Sequence, residues 1–210
     1  MNPQITWLGH ASFKITGSKT IYIDPWRIER SPHDADIILI SHNHYDHFSL
    51  FDIERIEQKR TLIFGPRSVI EELKRGNPFR PWDRAAGGTT EILGVPAYNP
   101  RSPFHPKSKM WLGYLISIDG NLIYFTGDTD LIPEMNELPS NISLILVPVS
   151  GIHAMNPKLA IKVCDLIKAK YVIPYQWGDR IGTTDDVDYF CEYVKSSKPI
   201  KLLSGNSFNL

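Results

Sequence analysis

Apolar and polar positions divide this chain into many short strands and a few helices. Residues 5–8, 12–16 and 20–23 read as three strands, with Gly9 and Gly17-Ser18 in the turns between them. Residues 36–41 are a short apolar run typical of a buried strand. Ser49 and Asp52 resemble a capping box opening a helix with Leu50, Ile53 and Ile56 at three-residue spacing. A strand over 61–64 ends at Gly65-Pro66, and a helix over 67–75 is stopped by Gly76. Residues 77–88 have no clean period and predict a surface excursion. The strand pattern resumes over 90–96. It is followed by a loop of fourteen residues, 97–110, with three prolines and three basic residues, which predicts a lid or pocket wall.

In the second half, residues 111–118 and 122–126 flank Asp119-Gly120-Asn121, a hairpin signal. Residues 143–147 predict a buried strand. Asn156 caps a helix with Pro157 in its first turn and Leu159, Val163 and Ile167 on one face. A strand over 171–174 precedes a last helix, which begins near Thr183 and buries Val187, Phe190, Cys191 and Val194. Strand pairs followed by helices argue for mixed sheets covered by helices, an α+β arrangement, over a doubly wound nucleotide fold. No G-x-G-x-x-G follows a strand, and there is no P-loop.

The candidate chemistry sits between the strand over 36–41 and the helix after Ser49. There, His42-Asn43-His44-Tyr45-Asp46-His47 gathers three of the seven histidines and a carboxylate within six residues. Imidazole and carboxylate suit zinc and other first-row divalent ions, and a strand-to-helix turn presents them to a cleft. The plainer reading is a solvated polar turn that picks up adventitious metal. Asp24, at the end of the third strand and followed by Pro25, is either a strand-ending carboxylate or a group behind the ligands holding an imidazole by its other ring nitrogen. His10 lies in the first turn and is a pocket candidate only. No competing catalytic apparatus stands out: Ser150-Gly151 lacks the G-x-S-x-G frame.

The cluster resembles the H-x-H-x-D-H signature of the metallo-β-lactamase superfamily. More narrowly, residues 7–13 (Trp-Leu-Gly-His-Ala-Ser-Phe), Asp24-Pro25, Pro96-Ala97-Tyr98-Asn99 and Thr126-Gly127-Asp128-Thr129-Asp130 are similar to its lactonase-like, metal-dependent hydrolase branch. The likeness runs from the N-terminus to about Gly178. It implies a four-layer αββα sandwich with the metal site along one edge. It also implies His42 and His44 in one metal site, Asp46 and His47 in the other, Asp128 bridging, Asp46 orienting the nucleophilic water, and Asp24 supporting the ligands from behind. Where the family places two more ligand histidines, this chain has Asn99 and Gln176. An amide oxygen is a weak neutral ligand beside imidazole. Pro-Ala-Tyr-Asn marks a subgroup, so Asn99 reads as a lineage feature. His105 is the candidate replacement, equally readable as a solvent-facing loop histidine, and His153 is a second candidate in another edge loop.

The implied activity is hydrolysis of an ester-like bond, a lactone or phosphoester, in a small molecule, with one or two Zn²⁺ or Mn²⁺ ions per chain. The alternative is a metal-impaired relative that binds a ligand or partner without turnover; a nuclease is a third, weaker reading. Lysine plus arginine equals aspartate plus glutamate at 23 each, which weighs against a dedicated nucleic-acid binder. Cys164 and Cys191, with no C-x-x-C, read as buried apolar residues in a reducing compartment. The N-terminus has no signal-peptide pattern, and no run approaches a membrane span. The expectation is one cytoplasmic domain over 1–210.

Overall fold

The structure is a computed structural model and describes residues 2–100 and 102–210. In chain order, β1 (Gln4–Gly9), β2 (Ser12–Thr16), β3 (Thr20–Ile23) and β4 (Ala35–Leu39) lead to α1 (Leu50–Ile56). Next come β5 (Glu57–Gly65), α2 (Arg67–Leu73), β6 (Asn77–Pro78), β7 (Arg84–Gly87) and β8 (Thr90–Pro96). The hairpin β9 (Leu112–Ile118) and β10 (Asn121–Phe125) precedes β11 (Leu144–Pro148), α3 (Pro157–Ile167), β12 (Tyr171–Tyr175), α4 (Thr184–Tyr193), β13 (Lys198–Pro199) and β14 (Ser207–Asn209).

Two seven-stranded sheets result, in the orders β14-β1-β2-β3-β4-β5-β6 and β13-β12-β11-β10-β9-β8-β7. Each runs antiparallel through its first turns of chain and then becomes parallel, at β3/β4 in one sheet and β10/β11 in the other. The continuous apolar runs of β4 and β11 follow from this position. Both are central parallel strands, so side chains on both faces leave water.

The inner faces meet in one core that includes Phe13, Ile15, Ile23 and Leu39 from the first sheet and Tyr114, Ile116 and Phe125 from the second. The same core extends under α3 and α4 through Val163, Cys164, Val187 and Phe190. A separate cluster of Tyr22, Ile38, Ile40, Ile53, Ile56, Ile63 and Val69 packs α1 and α2 on the outer face of the first sheet. The layers are helix, sheet, sheet, helix, the expected αββα sandwich. Among the described residues, no helix is long and apolar enough to cross a membrane.

Several expectations are corrected. Residues 77–88 are not a plain excursion: β6 and β7 add edge strands to the two sheets. Main-chain pairing of such short pieces leaves no side-chain period to read. Ser49 caps α1 by accepting from the Asp52 amide, but the capping box is not closed. The Asp52 carboxylate instead accepts from the Arg27 and Ile28 amides at 2.9 Å each, tying the 24–34 connection to α1. Cys164 is buried as expected, whereas Cys191 is only partly so. The loop 97–110 has a single turn of 3₁₀ helix (Lys107–Lys109) and forms a wall of the cleft; Arg101 within it lies outside the described residues.

Candidate metal centre

Strands of both sheets deliver their next residues to one edge: Asp24 after β3, the histidine cluster after β4, Asp128 after β10, Ser150 after β11 and Gln176 after β12. The chain bends sharply there. His10, Asp24, His153 and Gln176 have φ of 49°, 44°, 60° and 58°, in the left-handed region that non-glycine residues enter at a cost. Asp128 is placed by Gly127, whose φ is 68° and where an added Cβ would stand 2.7 Å from the Leu112 carbonyl oxygen. Only glycine lets that turn approach β9 so closely.

Asp24 is fully buried and organises the floor of the site. It accepts from the Ser41 amide at 2.7 Å, the Ser41 hydroxyl at 2.5 Å and His47 Nδ1 at 2.7 Å. Ser41 Oγ also lies 2.8 Å from His42 Nδ1. The inner nitrogens of His42 and His47 are thus occupied, which turns their Nε2 atoms outward to the cleft.

Two groups of donor atoms face that cleft, each with its atoms within 4.8 Å of one another: His42, His44 and His105, and His10, Asp46 and His47. In the first, His42 Nε2 and His44 Nδ1 approach to 3.1 Å. His105 is 1% exposed, and neither of its ring nitrogens has a hydrogen-bond partner. Burying both without compensation is costly, so the orphaned pair fits a missing ligand atom on that ring. Trp111 backs all three rings at centroid distances of 4.9 to 5.0 Å. In the second group, His10 Nε2 lies 3.1 Å from Asp46 Oδ2 without hydrogen-bond direction.

Asp128 stands beside the second group, its Oδ2 3.4 Å from His47 Nε2. Its other oxygen accepts from Gln176 Nε2 at 2.8 Å. Gln176 is fully buried, with its Oε1 3.4 Å from Ser150 Oγ, so its amide NH₂ is the end turned to Asp128 and His47. Asn99 gives and takes backbone bonds within its loop, its amide donating to the His105 carbonyl at 2.8 Å, which holds His105 in place. His153 is exposed; its ring lies 6.3 Å from that of His105 and 4.9 Å from Phe104.

Charge divides the two groups. Burial, helped by the neighbouring rings, pushes His42 well below the ordinary imidazole value, lowers His44 and takes His105 down to about 4. These three are neutral and ready to ligate at neutral pH. Burial acts the same way on His47, but Asp128 and Asp24 on either side outweigh it and raise this ring well above the usual range. Burial would raise Asp46, yet His10 and His47 overcome it and hold the carboxylate ionised. Asp128 is lowered likewise, with His47 countering burial, while at Asp24 burial prevails and raises the value.

A family model for the beta-lactamase superfamily domain matches residues 4–176, nearly all of the strands that build this edge. The chain belongs to the metallo-β-lactamase superfamily. The "UPF0173 metal-dependent hydrolase" of Thermococcus onnurineus is 31% identical over 215 residues, covering 95% of this chain and 96% of that protein. A proposed metal-dependent hydrolase from Parabacteroides distasonis superposes with a TM-score of 0.83 at 27% identity, over 95% of this chain and 92% of that one. Igni18, a metallo hydrolase from Ignicoccus hospitalis, has the same TM-score at 22% identity, over 100% and 99%, and speaks for the fold. Within this superfamily fold, sequence reasoning passed over Ser41 and Trp111. Ser41 precedes His42 at a strand end, which is a usable signal; nothing local marks Trp111. His10, kept as a pocket candidate, lies directly beside Asp46 and His47.

Proposed function

We propose that this metal-dependent hydrolase cleaves an ester-like bond, a lactone or phosphoester, in a small molecule, with zinc or manganese held in the cleft and in a cytoplasmic setting. His42, His44 and His105 would hold one ion, and His47, Asp46 and His10 a second, with Asp128 between the two groups. The orphaned His105 ring carries this reading: it supplies to the first group the imidazole that Asn99 does not. Bound divalent ions lower the pKa of water and neutralise charge on the attacked centre.

The protein's own part is orientation. Asp24, bonded to His47 and Ser41, fixes the orientation of two imidazoles by engaging their Nδ1 side, so that Nε2 is the nitrogen turned toward a metal. Asp46, ionised and partly open to the cleft, would orient the nucleophilic water as a hydrogen-bond acceptor. Trp111 and the loop 97–110 close one side against solvent.

Metal analysis of protein purified without chelator, with turnover of chromogenic lactones and phosphodiesters, tests the reading. Metal-dependent turnover that is lost on chelation and restored by Zn²⁺ or Mn²⁺ is the expected result; protein that can neither retain nor recover metal overturns it. Gln176 favours a second reading, a binding protein without turnover, because its NH₂ and not an imidazole faces Asp128. Full metal occupancy with no hydrolysis of any ester would support that one.

A further inference from the structure

The two sides of the cleft mouth differ in character. Next to His105 in the chain, Phe104 is 59% exposed and sets its ring 4.9 Å from that of His153, whose neighbour Ile152 is 45% exposed, an apolar rim. Beside His10 and Asp46, the rim is aromatic and cationic. The Trp26 ring lies 5.2 Å from the His10 ring, and the guanidinium of Arg27 covers Trp26 at 4.2 Å. Arg180 lies 5.3 Å from the ring of Tyr45, the residue between His44 and Asp46 that is 63% exposed, and 5.9 Å from Trp26.

The two arginines are not equivalent. Arg27 Nη1 pairs with Asp179 at 3.0 Å, so its charge is balanced. Arg180 has no carboxylate partner among the described residues and keeps its hydrogen-bonding fork free. Its loop is anchored to the site floor. The Gly178 amide donates to the Gly182 carbonyl at 3.2 Å, and Gly182, with φ of 70°, packs so closely that an added Cβ would fall 2.2 Å from the Gln176 carbonyl oxygen. The same residue Gln176 binds Asp128, so the loop carrying Arg180 is held in fixed register with the candidate ligands.

We propose that Arg180 is a specificity-determining residue: it receives an anionic group that the substrate carries at a distance from its scissile bond. The apolar remainder lies toward Phe104 and Ile152. The substrate class is therefore a small amphiphilic ester bearing a carboxylate or phosphate. A guanidinium resting on aromatic rings is weakly hydrated and offers parallel N–H donors to such an oxyanion. The proposal rests on the cleft being the hydrolytic site.

The test uses a matched pair, the 4-nitrophenyl monoester of adipic acid and its methyl ester, assayed on zinc-loaded protein, wild type and Arg180→Gln and Arg180→Lys. Wild type is expected to prefer the anionic ester through KM. Arg180→Gln should raise that KM by about three- to fivefold with kcat and metal content held, the upper end of what a solvent-exposed ion pair contributes. It should affect the neutral ester far less, and Arg180→Lys should recover part of the loss. An equal effect on both esters, or none on the anionic one, overturns the proposal. Binding of adipate to the same proteins, measured by calorimetry, separates the two readings. If neither ester is hydrolysed but adipate binding still depends on Arg180, the hydrolytic reading fails and the anion site stands. If adipate binds wild type and Arg180→Gln alike, or neither, the anion site fails.

Discussion

At the residue scale, the centre depends on which imidazoles are free to ligate. His105→Ala removes one of three nitrogen donors and should weaken the metal held with His42 and His44 by about a hundredfold in competition with a chromophoric chelator, the scale on which even outer supporting residues act. Helix content should not change, because His105 sits in a loop. Gln176→His replaces an NH₂ that cannot ligate with a ring nitrogen that can, so it should raise occupancy of the second group and hydrolysis with it. Two equally tight sites in the wild type would contradict this. The divided charge adds a proton count: His42, His44 and His105 are held neutral, whereas His47 is held protonated between Asp24 and Asp128. Near neutral pH the first metal should therefore release almost no imidazole proton and the second about one. Calorimetric titration in two buffers of different ionisation enthalpy reads that difference directly.

At the element scale, the cleft is built from strand ends and tight turns. Gly182→Ala puts a Cβ against the Gln176 carbonyl oxygen at a left-handed backbone position, and should cost about 2 kcal/mol or more. Because the clash bears on Gln176, thermal stability and second-site affinity should fall together. Asn156→Ala is the contrast. It removes the bond from the Leu159 amide to the α3 cap, costing about 1 kcal/mol, and should leave metal binding unchanged since α3 carries none of the candidate ligands. Melting curves and metal titrations on both variants separate a general loss of stability from one directed at the site. The helix cap at Asn156 and the start of the last helix near Thr183 were legible from neighbouring residues alone, whereas the capping box between Thr183 and Asp186 came from the structure. Asp52 shows the limit: its spacing from Ser49 fits a capping box, but two backbone amides from a distant connection compete for its carboxylate and win.

At the scale of the whole molecule, the buried imidazoles link folding to pH. His42, His44 and His105 are held below the ordinary 6.5, so they favour the folded metal-free protein above that value, and the contribution is lost as pH falls toward the His105 value of about 4. His47 is raised and acts oppositely, its contribution complete below 6.5 and lost as pH rises through its folded value. With three groups against one, the melting temperature of metal-free protein should fall between pH 6.5 and 4, and bound metal should raise it most near neutral pH, where protons compete least. Melts across that range with and without Zn²⁺ check both parts. The local pattern by itself was sufficient for the strand runs, the cap residues and the ligand cluster, because these depend on side-chain period and on spacing within a few residues. Tertiary structure alone decided that β14 closes the first sheet against β1, that β6 and β7 become edge strands, that His105 turns back onto His42 and His44, and that Arg180 stands over Tyr45. Each brings together residues far apart in the chain, and what selects them, the burial of a shared surface and the pairing of distant backbone, leaves no trace in local sequence.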